Sequence, residues 1–311
     1  MYILVTGGVG FIGSNFIHYL LKLNLDNIKI IVLDNLTYAA DLRNLDGLDK
    51  NSYELIVGDI CDKELISKLF SRIDYVVHFA AESHVDNSIT SPDKFITTNV
   101  IGTHVLLDAA IKYDVKKFLY VSTDEIYGSI LTGSFNETHN YNPSSPYSAS
   151  KAAGELLTVA YGTTFNLNYN ISRCSNNYGP RQNKEKLIPH FIDLLQNSKP
   201  VTLYGNGSNI RDWIYVEDHC EAIYTILISG VNRQIYNISS SEEFSNIEIT
   251  EKLLKLMGLD KNLIDFVEDR LGHDFRYSIS ASKIKNDLGF IAKTNFGDGI
   301  RKTLDWYQKN N

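Results

Sequence analysis

The sequence is poor in the residues that mark disulfide-linked, metal-binding or membrane-spanning proteins. Its three cysteines, Cys61, Cys174 and Cys220, are odd in number and show no Cys-x-x-Cys spacing. Such a set favours reduced thiols in a cytoplasmic protein. The eight histidines show no metal-ligand spacing, so we predict no metal site.

Long apolar runs are also missing, and residue 2 already begins a strand pattern. Neither a membrane span nor a signal peptide is therefore expected. Acidic residues outnumber basic ones, and the formal net charge of -7 argues against nucleic acid as the main partner. That charge does not exclude a phosphorylated ligand, since local backbone donors and a few arginines suffice to bind one.

A glycine-rich turn follows the first predicted strand. The apolar run Tyr2–Thr6 leads into Gly-Gly-Val-Gly-Phe-Ile-Gly, which starts at Gly7, and a helical pattern comes next. Gly8, Gly10 and Gly13 satisfy G-x-G-x-x-G, and Gly7 in place of Gly8 satisfies the variant G-x-x-G-x-x-G. Glycines there let the backbone approach a pyrophosphate, and the helix N-terminus supplies N–H donors. Flanked by strand and helix, the pattern predicts a dinucleotide site; the alternative is a plain strand–helix turn.

Acidic residues follow the second and third predicted strands. Asp34 comes after 28–33, about 20 residues beyond the last glycine, where an acid bonds the adenosine ribose hydroxyls. Because an acid there repels a 2′-phosphate, NAD is favoured over NADP; the alternative is a helix or turn cap. Asp59 follows 53–57, and two interpretations stay open: it accepts from the adenine amino group, or it caps the helix expected near 62–71.

The fourth and fifth strands are predicted at 75–79 and 118–122, on either side of a long helical stretch at 93–113. Small residues from Ala80 onward let the chain pass close to a cofactor, whereas His78 lies within the strand and is interpreted as structural. The regular alternation predicts an α/β fold with a doubly wound parallel (Rossmann) sheet. Ligands of such sheets bind at the carboxyl ends of the strands, where the residues singled out so far are expected to meet.

Two adjacent carboxylates, Asp124 and Glu125, end the fifth strand. Packing alone disfavours them there, because ionised carboxylates are rarely buried unpaired. Pro146 favours a helix start, and on that helix Tyr147 and Lys151 share one face. A lysine ammonium beside a phenol lowers its pKa, which makes Tyr147 a plausible base. The alternative is an ordinary helix face with a solvated lysine.

The strict alternation breaks down after a sixth strand at 169–174. The 311 residues suffice for one large α/β domain with a subsidiary lobe, or for two domains. We predict an NAD-binding Rossmann domain made of 1–175 plus about 205–238. A smaller α/β substrate-binding lobe, 176–204 and 239–311, closes over the substrate.

The glycine loop, the Tyr147-x-x-x-Lys151 pair and the chain length together resemble the extended short-chain dehydrogenase/reductase family. Within it, several stretches resemble the dehydratases that act on nucleoside-diphosphate hexoses. Those stretches are Thr123–Gly128, Ser175–Pro180, Glu185–Pro189, Arg211–Trp213 and Asp269–Tyr277. Two departures, the 181–184 loop and Leu271 in place of a usual proline, lie in the predicted substrate lobe and concern substrate identity.

The resemblance implies a role for each residue of the central constellation. Tyr147 removes the sugar 4-hydroxyl proton while hydride passes from C4 to NAD, and Lys151 holds the nicotinamide ribose. Glu125 then removes the C5 proton, Asp124 protonates the departing 6-hydroxyl, and hydride returns to C6. Thr123 would hydrogen-bond the sugar. One acid and one base are what elimination next to a ketone needs, provided the environment separates the two carboxyl pKa values.

The resemblance also implies binding residues beyond this constellation. For the cofactor, besides Tyr147 and Lys151, they are Gly7, Gly10, Phe11, Ile12, Gly13, Asp34, Asn35, Leu36, Thr37, Asp59, Ile60, Ala80, Ala81, Glu82, Thr98 and Asn177. For the substrate they are Ser83, Thr123, Asn176, Lys186, Leu187, Tyr204, Arg211, Asn246, Arg270 and His273. The alternative for the loop members is that they are ordinary polar residues of a surface loop.

Other outcomes on the same scaffold stay open. A UDP-sugar 4,6- or 5,6-dehydratase or a 4-epimerase would share the redox core, but an epimerase needs no acid–base pair at 124 and 125. A non-catalytic NAD-binding regulator would tend to lose the tyrosine or the lysine. The family commonly forms homodimers through two long helices, which correspond here to about 93–113 and 146–165.

Overall fold

The computed structural model describes residues 1–25, 28–269 and 274–310. Its strands are β1 (Tyr2–Thr6), β2 (Lys29–Asp34), β3 (Tyr53–Val57), β4 (Tyr75–His78), β5 (Lys117–Thr123), β6 (Tyr169–Cys174), β7 (Asn176–Tyr178), β8 (Val201–Tyr204), β9 (Ile210–Tyr215), β10 (Gln234–Ile238), β11 (Glu243–Ser245) and β12 (Ile264–Val267). Its α-helices are α1 (Phe11–Lys22), α2 (Lys63–Phe70), α3 (Val85–Thr90), α4 (Pro92–Phe95), α5 (Thr103–Lys112), α6 (Pro146–Phe165), α7 (Leu187–Gln196), α8 (Val216–Ser229), α9 (Asn246–Met257), α10 (Ser282–Leu288) and α11 (Phe296–Asn310).

Within the described ranges, seven strands form one sheet in the order β10-β6-β5-β4-β1-β2-β3. Every neighbouring pair in it is parallel. The direction of winding reverses between β1 and β4, which opens a crevice at the carboxyl ends of those strands. The prediction of a doubly wound parallel sheet is confirmed.

Helices cover both faces of this sheet, which explains why its inner strands are nearly continuous apolar runs. On one face α1 and α8 pack together, with Phe16, Ile223 and Ile226 fully buried between them and the sheet. On the other face α2, α5 and α6 enclose a second core that includes Leu106 and Phe118. Across the described residues, no helix combines the length and apolarity needed to cross a membrane.

The long helical stretch predicted at 93–113 is present but not uniform. It consists of α4, a π-helical segment at Ile96–Gly102 and α5, with helical backbone at the junctions. The π-helical segment carries the buried Asn99, whose amide bonds the backbone N–H and C=O of Glu82 and the hydroxyl of Ser150. A π-bulge of this kind often marks a functional site. Here it ties the chain after β4 to the helix α6.

The strands that lie outside the central sheet build a second lobe. β9 pairs in parallel with β7 and antiparallel with β11, and β8 pairs with β12. Their core is aromatic: the rings of Tyr178 and Trp213 meet that of Phe296 from α11, with centroids 4.9 and 6.4 Å away. This aromatic core explains why β9 joins the second lobe, while the helix that follows it, α8, packs on α1 in the first.

The start of α6 is fixed by local sequence, as Pro146 predicted. Ser145 is the N-cap, Pro146 occupies the first turn, and the Ser145 and Ser148 side chains form a reciprocal capping box. On the other side of the site, Thr123 ends β5 and caps a 3-10 turn, Asp124–Tyr127. The fold therefore places this turn and the first turn of α6 at one end of the sheet.

Candidate active site

A cavity opens at the carboxyl ends of the central strands and extends toward the second lobe. The residues of its wall that the sequence predicts as functional are Gly7, Gly10, Phe11, Ile12, Gly13, Asp34, Asn35, Thr37, Asp59, Ile60, Ala80, Ala81, Glu82, Ser83, Thr98, Thr123, Asp124, Glu125, Tyr147, Lys151, Asn176, Asn177 and Lys186. The structure thus brings together the glycine loop, the two carboxyl groups and the tyrosine–lysine pair.

Some predicted binding residues lie elsewhere. Those outside the wall of this cavity are Leu36, Leu187, Tyr204, Arg211 and Asn246. Arg211, for instance, points its guanidinium at the backbone carbonyls of Asp274 and Phe275 and over the ring of Tyr277. Arg270 and His273 lie outside the described residues. Their binding roles stay predictions.

The wall also contains residues that the sequence did not single out. They are Leu33, Ala39, Ala40, Gly58, Phe79, Val121, Ser122, Cys174, Ser175, Gln182, Asn183 and Glu185. Several are direct neighbours of predicted residues at strand ends, so their position in the chain was a usable signal. Gln182, Asn183 and Glu185 come from the loop before α7, and sequence periodicity gives no sign that this loop returns to the sheet.

The glycine loop is shaped by close backbone contacts. Gly7 has φ +69°, and a β-carbon there would lie 2.7 Å from the amide nitrogen of Ala80. A β-carbon on Gly13 would lie 2.3 Å from the carbonyl oxygen of Gly7. Only glycine fits these two positions, and the N-terminus of α1 then faces the cavity, where it can bind phosphate.

Asp34 and Asp59 lie in the wall of the cavity. Asp34 accepts hydrogen bonds from the backbone N–H groups of Val9 and Leu36, both at 2.9 Å, so it also braces the glycine loop. Asp59 accepts from the backbone N–H of Cys61 at 2.8 Å. The interpretation of Asp59 as the cap of the following helix is wrong, because Asp62 caps α2. The adenine interpretation of Asp59 stays a prediction.

His78 is structural, as predicted. Its ring bonds the hydroxyls of Thr6 at 2.7 Å and Thr103 at 3.0 Å, and it is 1% exposed. Burial holds the pKa of His78 well below its usual range, so the ring is neutral at physiological pH.

The two adjacent carboxyl groups sit in different environments. Asp124 is buried, and burial together with the Glu125 and Asp212 carboxylates raises the pKa of Asp124 well above its usual range. One oxygen of Asp124 has no hydrogen-bond partner among the described residues. Glu125 is only half-buried. The surroundings of Asp124 therefore favour its neutral form.

The prediction that the pKa of Tyr147 is lowered is wrong for this structure. Desolvation by the surrounding protein, and next the Glu125 carboxylate, raise the pKa of Tyr147 well above 10, although the phenol lines the cavity. Lys151 is engaged elsewhere: its Nζ donates to the carbonyl of Val121 at 2.7 Å and lies 4.4 Å from the centroid of the Tyr120 ring. Burial lowers the pKa of Lys151 to about 8.

A strap from the second lobe, residues 182–186, crosses to the first lobe at the cavity. The amide of Asn183 donates to the Tyr38 carbonyl at 3.5 Å, and Lys186 Nζ donates to the Ser83 carbonyl at 3.2 Å. These contacts reach the loops after β2 and β4. They connect the two lobes at the cavity.

In the described part of the chain, no group of three His, Cys, Asp or Glu side chains is arranged to hold a metal ion. The three cysteines are free thiols. Cys174 lies in the cavity wall, but burial raises its pKa to about 12, so it is not a thiolate nucleophile near neutral pH.

The parallel sheet, the glycine loop and the tyrosine–lysine pair define an extended short-chain dehydrogenase/reductase. A family model described as GDP-mannose 4,6 dehydratase matches residues 4–303, and the chain belongs to that family. The predicted family resemblance is thereby confirmed.

Within this family, the chain is similar over its full length to several individual proteins. The chain is 46% identical to a dTDP-glucose 4,6-dehydratase of Actinoplanes sp. over 315 residues, which cover 100% of this chain and 98% of the relative. It is 49% identical to a low-salt glycan biosynthesis protein of Haloferax volcanii, over 99% and 98% of the two chains. The solved structure of DesIV, a dTDP-glucose 4,6-dehydratase from Streptomyces venezuelae with NAD and TYD bound, aligns with a TM-score of 0.97, 44% identity and coverage of 100% and 98%.

The tight contact at Gly13 generates a testable prediction for dinucleotide binding. Gly13→Ala forces a methyl group against the Gly7 carbonyl, and overpacking of this kind costs about 1–3 kcal/mol. Affinity for NAD, measured by calorimetry, should fall by roughly tenfold or more. Gly297→Ala, in the first turn of α11 with its nearest contact at 3.3 Å, is the matched control and should bind normally. Equal affinities in the two variants would contradict a role for the glycine loop.

Proposed function

We propose that this protein is an NAD-dependent lyase that converts dTDP-glucose to dTDP-4-keto-6-deoxyglucose. The observation that carries the proposal is the meeting of Asp124, whose pKa is raised, with Glu125 and Tyr147 beside a dinucleotide-binding loop in one cavity. Full-length relatives named dTDP-glucose 4,6-dehydratase support the same substrate. Such a product belongs to deoxysugar biosynthesis, and we infer a cytoplasmic enzyme.

The residues present fit NAD. The cradle at Gly7 and Gly13 has no room for a side chain, which suits a pyrophosphate against the backbone. Asp34 stands where it would bond ribose hydroxyls and repel a 2′-phosphate. When bound, NAD supplies the group that accepts a hydride from the sugar C4 and returns it to C6. Tyr147, Lys151 and Asn177 would hold its nicotinamide end.

Tyr147 serves as the base for the first step, in which the sugar 4-hydroxyl loses its proton. Its raised pKa means that the phenolate needs a nearby positive charge to form near neutral pH. Lys151, one helical turn further along α6, supplies that charge and also holds the ribose. Thr123, whose hydroxyl lies in the cavity wall, hydrogen-bonds the sugar.

The carboxyl pair performs the elimination. A ketone at C4 makes the C5 proton acidic, and Glu125 removes it as the base. Asp124, kept protonated by burial, donates its proton to the departing 6-hydroxyl. A 4-epimerase has no use for this acid, although a UDP-glucose 4-epimerase of Thermotoga maritima shares the fold at 30% identity and a TM-score of 0.92.

We propose that the substrate lies between the Rossmann domain, 1–175 plus about 205–238, and a smaller lobe, 176–204 and 239–311, to which β9 (Ile210–Tyr215) also belongs by its strand pairing. Ser83, Asn176 and Lys186 line the cavity at this junction and would contact the nucleotide diphosphate sugar. Leu187, Tyr204, Arg211, Asn246, Arg270 and His273 are the further proposed contacts of this lobe.

Incubation with dTDP-glucose tests the proposed activity. The product is a 4-ketosugar, so alkali should develop its absorbance, and mass spectrometry should show loss of one water. Substrate deuterated at C4 should give product deuterated at C6, because the transferred hydride does not exchange with solvent. UDP-glucose is the matched control substrate and should react more slowly. Product without the C6 label, or equal rates with both nucleotides, would contradict the assignment.

Variants of the three central residues should fail at different steps. Tyr147→Phe should abolish oxidation at C4. Glu125→Gln should permit oxidation but slow exchange of the C5 proton with deuterated water. Asp124→Asn should permit both but slow loss of the 6-hydroxyl. General acid–base groups contribute ~10²–10⁴-fold, so each defect should be large. A Glu125→Gln enzyme that eliminates water at the wild-type rate would refute these roles.

We also propose a homodimer built on the helical stretch at about 93–113 and on α6, together with the adjoining α3. Large apolar side chains on these helices are exposed: Ile89, Ile96, Ile101, Leu156 and Phe165. Exposed apolar patches of this kind are typical of protein–protein interfaces. Packing two copies of each helix together would bury them.

The dimer has a simple test by sedimentation at micromolar concentration. Ile101→Asp and Leu156→Asp should each shift the protein toward monomer, since a buried charge at an interface is costly. Ile228→Asp, on the equally exposed Ile228 of α8, is the control and should leave the assembly unchanged. A monomeric wild-type protein would rule out the proposed assembly.

A further inference from the structure

A fully buried ion pair lies between the sheet and α6, the helix that carries Tyr147. The side chains of Glu155 on α6 and Arg173 on β6 are 0% and 1% exposed. Arg173 Nη2 donates to Glu155 Oε2 at 2.6 Å, and Arg173 Nε lies 3.2 and 3.0 Å from the two carboxylate oxygens. This fork geometry is the strong form of a charge-assisted hydrogen bond.

The pair is connected to the turn that carries the two carboxyl groups. Arg173 Nη1 donates to the hydroxyl of Tyr127 at 2.5 Å, and that hydroxyl donates to Asn237 Oδ1 at 2.9 Å. Tyr127 is the last residue of the turn that begins at Asp124. Tyr141 donates to Glu155 Oε2 at 3.1 Å. The network therefore links the Asp124–Tyr127 turn, the helix α6 and the strands β6 and β10.

Glu155 is also placed to act on Lys151. The two residues are four apart on α6, so they share a helix face. Burial is the largest influence on the pKa of Lys151 and lowers it; the Glu155 carboxylate is the next and raises it. Arg173, on the far side of the carboxylate, holds Glu155 in this position.

The titratable groups on the strands that face Lys151 favour their neutral forms. His78 on β4 has a lowered pKa, the pKa of Tyr120 on β5 is raised, and the Cys174 thiol on β6 has a pKa of about 12. On α6 itself Tyr147 has a raised pKa, and the Glu125 carboxylate on the Asp124–Tyr127 turn acts on Tyr147. Of the groups named, Glu155 supplies the negative charge on the sheet side of Lys151.

We propose that Glu155, held by Arg173, is a positioning residue that keeps Lys151 an ammonium ion and fixes α6 against the Asp124–Tyr127 turn. This inference rests on the proposed function. A purely stabilising role explains the pair poorly, because replacing a buried ion pair by apolar residues is often neutral or stabilising. A lysine that must stay charged in a dry site gives the carboxylate a role that apolar packing cannot supply.

The sign of the expected effect follows from the charge. A lysine with a lowered pKa is an ammonium ion below that pKa and loses its proton as pH rises through it. Removing the Glu155 charge removes an influence that raises the pKa, so Lys151 should lose its proton at lower pH. An opposite charge within about 4–6 Å shifts a pKa by roughly 1–3. The alkaline limb of kcat/KM should therefore move to lower pH by about one pH unit or more in Glu155→Gln.

Two readouts separate this role from simple loss of structure. The first is the pH profile of kcat/KM, and the second is acetylation of the Lys151 amine by acetic anhydride, followed by mass spectrometry across the neutral and alkaline range. In Glu155→Gln, Lys151 should become reactive at lower pH. Glu155→Asp keeps the charge and should stay close to wild type in both readouts. Phe296→Leu, in the core of the second lobe, should lower stability without moving either curve.

A double variant keeps the test decisive if Glu155→Gln does not fold. Glu155→Leu/Arg173→Met removes both charges while filling the space. Because loss of the Arg173 charge partly offsets loss of the Glu155 charge, both curves should move in the same direction as in Glu155→Gln but by a smaller amount. Wild-type curves in either charge-removing variant would overturn the inference. The labelling needs no sugar substrate, so an unmoved labelling curve in an active dehydratase rejects this inference alone. A wild-type protein that fails to dehydrate dTDP-glucose rejects the proposed function instead.

Discussion

Desolvation at the carboxyl end of β5 is the constraint on which the rest of the site depends. Asp124, Tyr147 and Lys151 all lie where protein has replaced water, and burial drives each of them toward its neutral form. For Asp124 this shift is useful, because a neutral carboxyl group can donate a proton. For Tyr147 and Lys151 the same shift opposes the ionised forms that their proposed roles as base and cation require. The chemistry therefore needs charges placed near these two residues.

The parallel sheet decides where such charges can stand. β5 and β6 are neighbours, and α6 packs across both, so a residue one turn beyond Lys151 meets the carboxyl end of β6. Glu155 occupies that place and forms an ion pair with Arg173 of β6. The same arrangement anchors the helix whose first turn carries Tyr147. The Glu155–Arg173 contact thus has two effects. It attaches α6 to the sheet, and it places the Glu155 carboxylate near Lys151 of the same helix.

The sequence predicted the features that local patterns determine. It did not predict the features that depend on contacts between residues far apart in the chain. Apolar runs and the glycine turn were enough to predict the central sheet and the cavity at its carboxyl edge, because strand direction alone brings those residues together. No local pattern shows that β9 pairs with β7, that Gln182 and Asn183 return to the cavity, or that residues 96–102 form a π-helical segment. The pKa of Tyr147 was predicted with the wrong sign, because spacing on a helix shows that Lys151 is near but not how strongly both groups are desolvated.

The difference between Asp124 and Glu125 shows how one tight turn can separate two identical functional groups. Consecutive residues of a 3-10 turn point about a third of a revolution apart. Asp124 therefore turns inward, where the Asp212 carboxylate also acts on it, and Glu125 stays half-buried. The pKa of Asp212 is itself raised to about 6 by burial, so the inner side of the turn favours protonated carboxyl groups. In the proposed mechanism the direction of the turn sets which position is the acid and which is the base, so Asp124→Glu/Glu125→Asp should keep the acid at 124 and the base at 125.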